Sequence, residues 1–478
     1  MSLAAAGYAF AVVQASAVPA SAETAEEKVR RATTLMLRDV QTPEGFDLSP
    51  LAGSPGSFAV TVPKMSVPSY ETQAWEITTA RFEMTPNDGA KVDVKIVAPG
   101  SIRLRDGGGA EVLRVAVGGW DGAGVFDTEV ERFVSFDGEG RDIQAMIVAD
   151  QSSVSVQGFS VLGDFAPNGA GGWKTPLRMQ ATDLRVQLPD GADAMRLGEL
   201  VVRGDSTILD WDTLRRRLEA MQSRLSAPGF SELPEDEQDA IMLDLIVGLR
   251  GLLADLQVGY EVRDLAIDVE GDPFRADRLA ATVDGTGFDQ SKFQFRMGYA
   301  IEGMTLTVEE LPADLAPDGA ALTLALADMP SRAVVDLLAD IAALTRSSPD
   351  RDGGEIFLKG LMTLMQNAGS ELRIERFGLA NSLAQLEASG QMQPVSTAQY
   401  GGIGSFRMFV QGLDPLIQRL IGDPDEEIQG FGLLLSLVRA YGIPAQDGEP
   451  SMLQYDIDLP AEGPVLVNGK PLQVPGSE

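Results

Sequence analysis

From about Ser57 to Arg203, apolar and polar residues alternate in short runs, among them Phe58 to Val62, Lys91 to Val97, Ser101 to Arg105, Val112 to Val117, Phe126 to Phe136 and Leu184 to Leu188. A period of two places successive side chains on opposite faces of a half-buried strand. The runs are parted by Asn87-Asp88-Gly89, Asp106-Gly107-Gly108-Gly109, Asp137-Gly138 and Asp190-Gly191. These residue types accept positive φ, so the spacing predicts antiparallel hairpins in series. Near Asp210 the period changes. Asp212 to Leu225 and Leu233 to Leu256 read as helices, the second opened by Pro234 and by Glu235, Asp236 and Glu237, whose charge suits a helix N-terminus. Strands resume from Gly259 to Leu326. Beyond them, helices over Ser331 to Leu344, Glu355 to Ala368, Asp414 to Ile421 and Asp423 to Tyr441 alternate with strands over Glu371 to Phe377, Ala384 to Met392, Ser405 to Val410, Leu453 to Ile457 and Val465 to Val467.

A strand that runs into an amphipathic helix recurs. Leu322 to Ile341 and Ser405 to Ile421 share the pattern, and Met195 to Leu218 is a looser copy. The predicted helix starts are Ser331 after Pro330, Asp414 before Pro415, and Asp212 after Trp211, with Asp423, Pro424 and Glu426 as N-cap, first and third helical positions of a further helix. Such units cannot bury an apolar face alone, which implies growth by addition onto one sheet. The predicted fold is therefore α+β and predominantly antiparallel β. Its expected organisation is a leader over 1–22, an antiparallel β region over 23–205, a helical insertion over 206–258 and a strand–helix region over 259–478.

Two of the helices are apolar over more than a third of their circumference. In one, Ile241, Leu245, Leu249, Leu252 and Leu256 form a stripe widened by Met242, Ile246 and Leu253; the other is Phe431 to Val438. A helix of that kind must be covered on more than one side, so it either plugs a sheet face or lines a groove for acyl chains. Leu245, Leu249, Leu252, Leu434 and Leu437 are the side chains expected along or beneath such a groove.

Composition removes most catalytic chemistry. The 478 residues include no His and no Cys, which excludes imidazole and thiolate nucleophiles, proton shuttles through histidine, disulfides and thiolate metal sites. Carboxylates, Ser or Thr with a Lys base, and oxygen-ligated cations remain. Asp350-Arg351-Asp352-Gly353-Gly354-Glu355 departs from the calcium-loop spacing and reads as a turn into a helix. Asp137-Gly138-Glu139-Gly140-Arg141-Asp142 reads as a hairpin turn. The glycines at 107 to 109 and at 401, 402 and 404 lack the Lys-Ser/Thr of a phosphate loop. No cofactor fingerprint is present, and Trp173, after a glycine-rich loop, is either a core anchor or an exposed contact. The net charge of −32 repels phosphate backbones and anionic headgroups, so nucleic acid is not an expected partner.

Leu3 to Ala20 is small or apolar, and Ala20-Ser21-Ala22 fits a small-x-small cleavage site before Glu23, without the usual basic start. Export to the periplasm is the expectation, and a chain without cysteine needs no oxidative folding there.

The segment Glu371 to Gly390 (ELRIERFGLANSLAQLEASG), with the helix Gly412 to Leu420 (GLDPLIQRL), resembles the repeating unit of AsmA-like bacterial envelope proteins. The ending from Tyr455 to Asp458, followed by Val465-Leu466-Val467-Asn468-Gly469-Lys470-Pro471-Leu472, is similar to the final strand pair of the YdgA-like family. The resemblance covers roughly the last 120 residues. It implies a long curved, half-barrel-like antiparallel sheet in an exported protein whose relatives hold or move lipids or affect envelope assembly. It carries over no catalytic residue. The expected function is non-enzymatic binding or shuttling of lipid or another apolar ligand, with an envelope protein as the other class of partner. The alternative is a carbohydrate-directed enzyme or adhesin using paired carboxylates, which requires a polar cleft where the first requires an apolar furrow.

Overall fold

In the computed structural model the chain forms two compact units, Met1–Leu253 and Ala254–Glu478. The described residues are 23–478 apart from 39, 70–72, 98–99, 169–171, 226–232, 235–236, 239–240, 242–250, 270–271, 307–311, 313, 348–352, 446–450 and 473–478. The expected leader over 1–22, Leu245, Leu249 and the Asp350-Arg351-Asp352 stretch lie outside them.

The first unit opens with α1 (Ala25–Met36), followed by β1 (Asp47–Pro50), β2 (Phe58–Pro68), β3 (Ala74–Pro86), β4 (Lys91–Val97), β5 (Ser101–Arg105), β6 (Glu111–Asp127), β7 (Arg132–Ile147), β8 (Ser153–Asp164), the short β9 (Ala166–Pro167) and β10 (Trp173–Lys174), β11 (Leu177–Gln187), β12 (Asp193–Ile208) and α2 (Trp211–Leu225). Neighbours in the ladder are neighbours in sequence, with β4 and β5 side by side between β3 and β6, and β8 pairing across the short strands to β11. Helix α1 begins with a capping box in which the Thr24 side chain and the Glu27 carboxylate close on each other's backbone N–H. The helix lays Val29, Ala32, Thr33 and Met36 over Val60, Val62, Phe82, Met84, Val92 and Val94, forming the core of this unit.

The second unit holds β13 (Leu253–Val269), β14 (Asp272–Thr286), β15 (Lys292–Glu302), β16 (Thr305–Leu306), β17 (Gly319–Pro330), α3 (Ser331–Ser347), α4 (Gly353–Ala368), β18 (Glu371–Ala380), β19 (Gln385–Pro394), β20 (Gly402–Gln411), α5 (Leu413–Ile421), α6 (Glu426–Arg439), β21 (Ile443–Pro444), β22 (Met452–Leu459), β23 (Leu466–Val467) and β24 (Lys470–Pro471). The ladder runs β13, β14, β15, β17, β18, β19, β20, β22, β23, β24. Two helix pairs interrupt it, α3–α4 between β17 and β18 and α5–α6 between β20 and β22. All pairings among the described residues are antiparallel, which is the α+β, predominantly antiparallel fold that the alternation predicts. At the end of the chain Asn468 and Gly469 both take positive φ between β23 and β24, the hairpin turn expected of an Asn-Gly pair.

Long strands keep one face apolar through a phase shift. Thr79, Asp142, Asp183 and Asp264 each take φ between 51° and 53° inside a strand. At Thr79 the apolar positions pass from Trp75 and Ile77 to Ala80, Phe82 and Met84, and across the ladder from Val60 and Val62 to Met65 and Val67. Both phases reach the same core. An inserted left-handed residue resets the alternation that a straight strand would carry to the wrong face.

Several expectations are corrected. Leu253 to Leu256 is the start of β13 and not the end of a helix, because its side chains continue the alternation of that strand. Phe126 to Phe136 is not one strand: β6 ends at Asp127 and β7 begins at Arg132, with the turn between them. Asp137 to Asp142 lies inside β7, and its glycines admit an indole: a Cβ at Gly138 or Gly140 would stand 3.1 or 3.2 Å from the Trp120 ring. The cap of α2 is Asp210, which accepts from the Thr213 N–H at 3.0 Å, and not Asp212. The cap of α6 is Asp425, accepting from Glu427 and Ile428, while Asp423 turns back to Arg419. Helix α5 starts after Gly412 in the left-handed region, and Asp414 in its first turn pairs with Arg439. The Ser331 hydroxyl is buried and caps nothing.

Candidate functional site: an open apolar sheet face

Direct cross-strand partners in an antiparallel ladder point to the same side. Following them across the second unit, Tyr260 pairs with Ala281, Ala281 with Tyr299, Tyr299 with Leu322, Leu322 with Phe377, Phe377 with Ala388, Ala388 with Met408 and Met408 with Tyr455. The flanking row on one side runs Val258, Val283, Met297, Leu324, Ile374, Gly390, Phe406 and Ile457. On the other it runs Val262, Leu279, Ile301, Ala320, Leu379, Leu386, Val410 and Leu453. None of the three rows contains a charged residue. The bulge on β18 at Glu375 keeps Ile374 and Phe377 both in phase.

The opposite face is ionic. Glu261 sits between Arg263 at 2.7 Å and Arg278 at 3.3 Å, Arg278 reaches Glu302 at 2.9 Å, and Arg296 bonds Glu375 at 2.6 Å. The Arg263 and Arg278 guanidiniums hold the Glu261 carboxyl below the usual carboxylate range. Charge on one face and none on the other is the signature of a sheet with a wet side and an apolar side.

Among the described residues, helices cover that apolar side at two places. Helix α4 brings Met365 and Leu361 onto Phe293, Phe295, Leu326, Met329 and Leu372 at one end of the strands. Helices α5 and α6 bring Leu413, Ile417, Leu435 and Val438 onto Met408, Val410, Leu453 and Tyr455. Under them Tyr455 is fully buried, and desolvation pushes its phenol up. Away from these covers the face is open: Tyr260 is 50% exposed and Tyr299 46%, and Met297, Leu322, Phe377 and Leu379 are exposed as well. Five adjacent strands contribute, a width of about 19 Å at the normal strand spacing. A depression of about 110 Å³ beside Ile301, Ala320, Leu379 and Leu386 is too small to enclose a lipid chain, so a ligand would lie along the face.

The sequence-predicted groove residues do not converge here. Leu252 is only 6% exposed and packs in the first unit's cluster with Ile208, Trp211, Leu214 and Leu218, its carbonyl accepting from the Leu209 N–H. Leu434 and Leu437 lie on α6 as expected but face outward, 57% and 51% exposed. Leu245 and Leu249 lie outside the described residues. The residues that do form the open face were legible as alternation, in Val258-Gly259-Tyr260-Glu261-Val262, Met297-Gly298-Tyr299 and Phe377-Gly378-Leu379. What sequence alone could not supply was the register that aligns them and the helices that stop short of them.

One other cluster concentrates charge away from water. The buried Arg132 guanidinium stacks 3.3 Å from the Trp173 ring and 4.3 Å from that of Trp211, which settles Trp173 as a core anchor. Desolvation pulls the Arg132 pKa down to about 9. Next to it, buried Glu131 stands 3.9 Å from Arg38, and desolvation raises its carboxyl above the ordinary value against the pull of Arg38, Arg215 and Arg31. The carboxylate has no access to solvent, so the cluster ties α1, the β6–β7 turn, β10 and α2 together. It does not present an acid to a substrate.

Among the described residues no group of acidic side chains is placed to hold a metal, and no helix is long and apolar enough to cross a membrane. No family model, no curated protein and no solved structure matches the chain.

Proposed function

We propose that this is a non-enzymatic, exported envelope protein that holds or carries lipid acyl chains on the open apolar face of its second unit. The observation that carries the reading is the charge-free block of three rows whose part around Tyr260, Met297, Tyr299, Phe377 and Leu379 is left exposed beyond the two helix pairs. Contiguous exposed apolar surface of this size is unfavourable in water and marks a site of binding. The AsmA-like resemblance and the periplasmic location belong to the same proposal. The paired-carboxylate alternative receives no comparable support, since the acidic side chains of the ionic face are engaged by arginines.

An acyl chain of about sixteen carbons laid on this face would gain on the order of 10 kcal/mol by leaving water, less the losses of association, which is sufficient for micromolar binding. The test is uptake of a fluorescent fatty acid by delipidated full-length protein. Met297→Glu and Tyr299→Glu, at exposed positions, should leave the fold intact and reduce uptake at least about tenfold, because each would place an unpaired charge under the chain. Charge reversal on the ionic face should leave uptake unchanged. Folded wild-type protein that takes up no fatty acid or phospholipid would remove the reading.

A further inference from the structure

Helix α6 meets α5 at a glycine and turns four large apolar side chains outward. A Cβ on Gly432 would stand 2.9 Å from Ile421 and 3.0 Å from Leu420, so α5 and α6 meet at the glycine itself. Ser436 folds its hydroxyl back onto the Gly432 carbonyl at 2.9 Å. On the outward side Phe431, Leu433, Leu434 and Leu437 are all more than half exposed. At 100° per residue these four, with Gly430 and Ala440, occupy about half the circumference. The charged positions of that arc are Glu426 and Glu427, both in the first turn.

We infer that α6 seats the protein on the surface of a bilayer whose headgroups carry no net charge. Three features of the protein favour that occupant. The four side chains expose on the order of 450 Å², well short of the ~800 Å² that each partner gives to a stable protein complex, but enough for shallow insertion at the headgroup boundary. The cations of the hairpin are already engaged, Arg419 with Asp314 and Asp423 at 2.6 Å each and Arg439 with Asp414 at 2.7 Å, and the chain as a whole carries −32, so anionic headgroups are repelled. Finally, the inward side of the same helix, through Leu435 and Val438, joins the cluster with Met408, Tyr455 and Ile457. The element that would touch the membrane is thus one wall of the apolar face proposed to take acyl chains. Only this third feature rests on the lipid reading.

Flotation of the full-length protein with phosphatidylcholine vesicles tests the inference. The wild type should float with the vesicles, and the double variant L434E/L437E, at positions that pack against nothing buried, should keep its melting temperature and lose binding at least about tenfold. Doping the vesicles with phosphatidylglycerol should weaken binding, and Phe431→Trp should shift its emission to the blue when phosphatidylcholine vesicles are added. Absence of flotation by the wild type, unchanged flotation of the folded double variant, or stronger binding on doping would overturn the inference. So would a wild-type dimer that the double variant splits into monomers, because the patch would then be a contact between copies of the chain. Fatty-acid uptake measured without vesicles, sensitive to Met297 and Tyr299 and not to Leu434 and Leu437, separates failure of docking from failure of the lipid reading.

Discussion

Two apolar sheet faces in this chain meet opposite ends. In the first unit one helix of 12 residues, α1, closes over Val60, Val62, Phe82, Met84 and Val92, and all five side chains are sealed from water. In the second unit four helices are present among the described residues, yet they cover the margins and leave Tyr260, Met297, Tyr299 and Phe377 open. The difference does not follow from the strands, which alternate equally well in both. It lies in where the covering helices attach, and it separates a face sealed from water from a face left exposed.

The sharpest way to break the comparison is to truncate one aromatic side chain in each unit. Phe82→Ala should destabilise the first unit by about 3–5 kcal/mol, since the side chain is fully buried, while Tyr299→Ala should change the stability of the second by less than about 1 kcal/mol. Comparable losses in urea titrations would mean that the open face is structural. Next in size, Val29→Ala, on the inner side of α1, should cost about 2 kcal/mol and raise the binding of an apolar dye to the first unit, because the cover is loosened. If dye binding did not change, the helix would not be what distinguishes the two faces.

Buried Glu131 in the first unit and the ion-paired carboxylates of the second should respond oppositely to pH. Buried Glu131 has a carboxyl raised above its ordinary 4.5, so the folded first unit binds more protons than the unfolded chain between that value and the raised one. Stability therefore falls as pH rises through the interval. In the second unit, Arg419 holds Asp314 and Asp423 low and Arg439 holds Asp414 low. The stability those pairs contribute is present above the ordinary 3.8 and is lost as pH falls below it. In melting curves across acidic pH, Glu131→Gln should remove the first contribution and leave the second, whose sign the lowered carboxyls of Glu27, Glu76 and Asp210 in the first unit share.

The smallest effect concerns the phase shifts. Asp264 holds φ 52° within β13, where glycine is unstrained, so Asp264→Gly should be neutral or stabilise by up to about 1 kcal/mol, whereas Asp264→Val should destabilise. Chemical denaturation of the two variants checks the sign.

Much of this was legible from local chemistry. The strands, the three strand-to-helix units and the Asn468-Gly469 turn each follow from periods and turn residues that act over a few positions. The phase shift at Asp264 could also have been read, since the apolar positions pass from Val258, Tyr260 and Val262 to Leu265 and Ile267. Helix α1 carried a clear signal in Thr24 and Glu27 that the leader-like residues before it obscured. The caps were misplaced by two residues wherever several acidic residues competed, because Asp423 and Asp425 are equally good acceptors until Arg419 engages one of them. The open face itself depends on register over eight strands and on where helices stop, and neither is encoded within any single window. Leu434 and Leu437 belong to a broad apolar helix as read, but its inner contacts are made by Gly432, Leu435 and Val438, so these two leucines face outward.

The most direct test of the central claim is photo-crosslinking of a diazirine fatty acid to delipidated full-length protein, with the modified peptides located by mass spectrometry. The account predicts labels on β13, β15 and β18, around Tyr260, Met297, Tyr299 and Phe377, and none on β2 to β4 beneath α1. Labels spread over both units, or confined to the first, would contradict it.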